Sequence, residues 1–129
     1  MDELIERLAD KAGLEKAVAG KSVGIILGFL RSEGPQEPVQ ALIDTIPGAE
    51  AAIESANESR GGLGRLMGSG ASLMGGGVMA MGARLMGLGL GIADIKKLAH
   101  ELFHIGREKI GPDRMQAIIA ETPGLRQFT

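Results

Sequence analysis

The two histidines of the chain fall in one short run, His100-Glu101-Leu102-Phe103-His104, which reads H-E-x-x-H. On a helix, imidazoles four residues apart share a face and can ligate one zinc ion. The glutamate beside them can polarise a metal-bound water as general base, which is what metal-assisted peptide hydrolysis requires. The uncharged neighbours Leu98, Ala99 and Ile105 suit that pattern. Other features do not. Lys97 stands where an uncharged residue is expected, no third histidine exists, and neither Glu121 nor Asp113 lies in a second ligand motif. No other catalytic constellation is readable. Cysteine is absent, no serine lies at a telling distance from a base, and the glycines form no G-x-x-x-x-G-K-[S/T] phosphate loop.

Helical pitch decides how to weigh the histidines. At about 100° per residue, Ile95, Leu98, Ala99, Leu102 and Gly106 define a core-facing side. His100 and His104 then fall on roughly the opposite side, flanked by Lys97, Arg107 and Glu108. A dication beside those cations is electrostatically unfavourable. Over about ten residues the run resembles the zincins, but the longer metzincin pattern needs glycine where Arg107 stands. The sequence therefore predicts no metal, no cofactor and no catalytic residue. Its alternative is a zinc hydrolase with His100 and His104 as ligands and Glu101 as base.

Composition bounds the remaining functions. The 129 residues suffice for one modest domain, and 44% apolar with 23% charged residues is globular rather than disordered. Aromatics are 2%, three Phe alone, which excludes the stacking platforms of single-strand nucleic-acid binders. Residues 1–58 hold 5 basic and 11 acidic side chains, a charge of −6; residues 59–129 hold 9 and 5, a charge of +4. Halves of opposite sign attract each other within one chain or head to tail between two. A weak excess without clustered Arg is a poor nucleic-acid footprint, so no such partner is expected. The acidic start, Met1-Asp2-Glu3-Leu4-Ile5-Glu6, lacks the basic flank of a signal peptide and points to the cytoplasm.

The elements that carry these residues read as all-α. Leu4, Ile5, Leu8, Ala9 and Ala12 recur at helical spacing, and Gly13 supplies a left-handed stop. A helix from about Glu15 to Arg31 is apolar on most faces, which marks it as central and buried. Gly34-Pro35 ends it, a short helix bearing Val39, Leu42, Ile43 and Ile46 stops at Pro47-Gly48, and a weak fourth covers Ala49–Ala56. The plan recurs 76 residues later: Gly13-Leu14 aligns with Gly89-Leu90, Arg31 with Arg107, Gln40-Ala41 with Gln116-Ala117, Ile43 with Ile119, and Pro47-Gly48 with Pro123-Gly124. This spacing predicts an internal duplication, with helical units at 1–57 and 78–129 joined by a Gly-rich linker at 58–77 and packed into one bundle with pseudo-twofold symmetry.

Glycine is concentrated in the middle. Twelve of 21 glycines and five of seven methionines lie between Gly61 and Gly91. Leu66-Met67-Gly68, Leu73-Met74-Gly75 and Ala80-Met81-Gly82 fall seven residues apart, which puts Leu and Met on one stripe of a helix. Val78–Leu88 is expected to be helical, while Gly75-Gly76-Gly77 is the natural break. On the central helix Gly20, Gly24 and Gly28 form a small-residue stripe that admits a close helix neighbour. These glycines, with Leu66, Met67, Leu73, Met74 and Met81, are the expected contacts with another helix or a second copy. From Leu66 to Ala83, 18 uncharged residues reach the lower limit of a membrane span, but six are Gly and only three are Leu or Val. Reversible lipid contact ranks behind core packing or self-association, and a true span ranks last.

The Gly-Leu-helix-Gly-Pro-helix-Pro-Gly plan with its Gly/Met/Leu-rich middle is similar to small bacterial proteins classed as domains of unknown function. The resemblance covers Val23–Gly48, Gly61–Gly91 and Ile95–Phe128. It implies an all-helical fold in a bacterial cytoplasm and transfers no catalytic residue. The function expected is that of a non-catalytic interaction or scaffold protein whose partner is a second copy or another helix.

Overall fold

The computed structural model describes residues 2–59 and 78–122 of the chain. Within them the backbone forms seven helices and no strand: α1 (Asp2–Ala12), α2 (Lys16–Glu33), α3 (Gln36–Thr45), α4 (Ala49–Ser59), α5 (Val78–Gly87), α6 (Ile92–Ile110) and α7 (Pro112–Glu121).

Local chemistry sets the ends. Gly13 adopts φ 70°, and the Leu14 N–H donates to the Ala9 carbonyl at 2.8 Å, so α1 closes on the left-handed glycine that a side chain would strain. Gly34 ends α2 for a different reason, close approach. A Cβ there would lie 2.7 Å from the Leu30 carbonyl oxygen and 2.8 Å from Thr122 Oγ1. Pro112 opens α7 at a position where no intrahelical N–H is needed. In front of α6, the Gly91 N–H donates to Asp94 Oδ2 at 3.2 Å, and the acidic residue sits in the first turn, where the helix dipole favours it.

Burial confirms the central place of α2: Ala19, Ser22 to Leu27, Phe29 and Leu30 are all inside. Ser22 is polar there, and its hydroxyl donates to the Val18 carbonyl at 2.8 Å, so it enters the core satisfied. No side-chain polar atom buried among the described residues lacks a partner. One continuous core runs from Leu4 to Ile119 and draws on all seven helices.

Helix positions repeat at the sequence offset. Adding 76 to the bounds of α1, α2 and α3 lands within one residue of those of α5, α6 and α7. Gly13 and Gly89 both have positive φ. Ala19 and Ile95, Ile26 and Leu102, Leu27 and Phe103, Leu42 and Ile118, and Ile43 and Ile119 are buried as pairs. Volume is exchanged at neighbouring positions. Where α2 has Leu30, α6 has Gly106, and where α3 has Val39, α7 has Met115, whose Sδ occupies the space a Gly106 Cβ would enter, 2.6 Å away. The packing is also reciprocal: α1 lies against both α2 and α6, and so does α5. One element breaks the pattern. α4 packs along α2 more extensively than any other pair, and no described helix takes the corresponding place on α6.

Candidate functional site

The H-E-x-x-H run occupies the middle of α6. Leu102 and Phe103 are each 1% exposed, and with Ile95, Leu98, Ala99, Ile105 and Gly106 they form the buried side of the helix. His100 and His104 point away from it and are exposed, as the pitch of the sequence predicts. The surface they occupy is convex helix, shared with Lys96, Lys97 and Arg107, all exposed.

Glu101 is tied to another helix. Arg7 of α1 donates through Nε to Glu101 Oε1 at 3.0 Å and through Nη1 to Glu108 Oε2 at 3.2 Å. The second oxygen of Glu108 meets His104 Nε2 at 3.3 Å, so the four side chains form one surface network. Two consequences follow. Arg7 occupies a lone pair that a general base would offer to a metal-bound water, and His104 is engaged by a carboxylate. The Arg7 side chain, hydrogen-bonded to Glu108, holds that carboxyl below its ordinary value, and the same bond raises Arg7 above its own. Among the described residues no three His, Asp or Glu side chains converge in a way that could hold a metal ion, and Glu121 and Asp113 supply no third ligand.

Arg7 is the residue of this network that sequence reading overlooks; Glu108 is read only as a flank of the histidines. Arg7 lies 94 residues from Glu101, and only the packing of α1 on α6 brings them together. The available hint is local: Arg7 stands beside Leu8 and three residues after Leu4, at the edge of the apolar stripe of α1.

The glycine stripe of α2 finds its neighbours within the chain. A Gly20 Cβ would meet Ile5 Cδ1 of α1 at 3.3 Å, and a Gly28 Cβ would meet Ile53 Cγ2 of α4 at 3.5 Å. Gly24 is buried between them. The small residues thus admit α1 and α4 close to the central helix. Met81 is 4% exposed and belongs to the core, so it faces no outside partner. Leu66, Met67, Leu73 and Met74 lie outside the described residues, as does the proposed linker after Ser59. No described helix is long and apolar enough to cross a membrane.

The sequence offset of 76 sets a different stripe on α6 beside this one. The residues of α6 that correspond to Gly20, Gly24 and Gly28 are Lys96, His100 and His104. On α2 that surface is narrow and covered; on α6 it is wide, polar and bare. A second contrast lies at the helix corners. In the α1–α2 corner, Glu6, Asp10 and Lys16 line an open groove, with Lys16 Nζ 3.0 Å from Glu6 Oε1. The corresponding residues between α5 and α6 are Gly82, Met86 and Ile92, and Met86 and Ile92 are the large apolar residues that stand exposed among the described residues.

No family model matches this chain, and no curated protein or solved structure shows significant similarity to it. What the fold defines is a seven-helix, all-α arrangement over the described residues, with a charged network at the H-E-x-x-H run.

Proposed function

We propose that this protein is a non-catalytic helical interaction module, built by duplication of a three-helix unit and acting through its exposed helix faces. The observation that carries this reading is the engagement of Glu101 by Arg7, together with the outward direction of both imidazoles. A hydrolase needs its base free beside a metal in a water-excluding cleft. Here the base is in an ion pair and the ligand candidates stand on a convex surface. The matching helix bounds, paired burial and exchanged volumes at offset 76 support the duplication. The partner proposed is a second copy or another helix, and the setting proposed is the cytoplasm.

Sedimentation of the full chain across a wide concentration range tests self-association. The proposal expects a mass that rises with concentration. A monomer at all concentrations removes the second copy as partner and leaves only a foreign helix.

A further inference from the structure

We propose that the outer face of α4 in one copy docks on the bare outer face of α6 in a second copy. This rests on the interaction reading above and gives it a surface and an occupant. Four exposed side chains of α6, Lys96, His100, His104 and Arg107, form a stripe whose fixed charges, those of Lys96 and Arg107, are positive. On α4, Ala49 and Ile53 face the core while Glu50 and Glu54 are exposed, one helical turn apart. Glu50 and Glu54, like Lys96, His100 and His104, are spaced four residues apart, about 6 Å along the axis, with Arg107 three residues beyond His104, so the two stripes can be laid in register. Glu50, Glu54, Lys96 and Arg107 form no ion pair among the described residues. Their charges are therefore unspent among the described residues.

Three further observations favour this occupant. Part of the α6 surface is the counterpart of one that α4 covers on α2: at offset 76 His104 corresponds to Gly28, which lies under Ile53 of α4. Acidic side chains that would repel Glu50 and Glu54 from α6 are already compensated, because Glu101 and Glu108 are both held by Arg7. The charge of the chain is also divided by sign between the half that bears α4 and the half that bears α6. A single such contact is head to tail and builds rings or open chains, whereas two made reciprocally close a twofold dimer.

Charge exchange tests the contact on the full chain. Lys96→Glu/Arg107→Glu makes both faces acidic, and Glu50→Lys/Glu54→Lys makes both basic. All four positions are on the surface, and helical content by circular dichroism checks that each variant folds. In low salt each double variant should associate about tenfold or more weakly than the parent, since several exposed pairs of modest strength are lost together. An equimolar mixture of the two variants should recover association, because each then offers the face the other lacks. Raising salt from about 0.02 M to about 0.5 M should weaken the parent as charges are screened. Parent-like association of either double variant, or a mixture that fails to recover, overturns the interface while leaving self-association standing. A parent that stays monomeric in low salt overturns both.

Discussion

At the scale of single residues, the arginine of α1 ties the H-E-x-x-H run to another helix. Arg7 bridges Glu101 and Glu108 at 3.0 and 3.2 Å, and Glu108 in turn meets His104. Its effect on pH dependence has a definite sign. The bond from Arg7 lowers Glu108 in the folded chain, so the contribution is present above the ordinary carboxyl value and is lost as pH falls through the lowered one. Thermal melts between neutral and acidic pH should therefore show a loss on the acid side that shrinks in Arg7→Ala. An unchanged acid profile in that variant would remove the network from the account. Nothing in the H-E-x-x-H run announces this arrangement, because the partner is 94 residues away and its place depends on how two helices pack.

At the scale of elements, punctuation was legible and partnership was not. Gly13, Gly34-Pro35 and Pro47-Gly48 mark helix ends through local backbone chemistry, and the ends fall there. The apolar girth of α2 likewise announces its burial. What covers the glycine stripe is a different matter: Ile5 and Ile53 come from two other helices, and a spacing of small residues says only that something lies close. Met81 shows the same limit, since a Leu/Met stripe reads alike whether it meets its own core or a partner. Two glycine substitutions separate packing from propensity. Gly34→Ala forces a Cβ against the Leu30 carbonyl and Thr122, and overpacking of this kind costs about 1–3 kcal/mol. Gly82→Ala meets open space within α5 and should gain up to about 1 kcal/mol of helix propensity. Chemical denaturation measures both; a destabilised Gly82→Ala would mean that this glycine serves a contact.

At the scale of the whole molecule, residues 2–59 and 78–122 share their packing rather than standing side by side. α1 and α5 each rest on both long helices, so neither half completes its core alone. A half of this length is also marginal on surface-to-volume grounds. Residues 1–57 expressed alone should therefore show little helix and no cooperative melt, while the full chain unfolds in one transition by circular dichroism and calorimetry alike. Two separate transitions would contradict a shared core. The correspondence of turn residues at offset 76 was readable, but the reciprocal packing was not, since a spacing of turn residues does not say on which helices each element leans.

The account makes the histidine-bearing face of α6 a surface for association and denies it a metal. Zinc content of the full chain, purified without added metal and compared with His104→Ala, tests that most directly. The predicted result is zinc well below one per chain in both proteins. One zinc per chain, lost on His104→Ala, would contradict the account and reinstate Glu101 as a base.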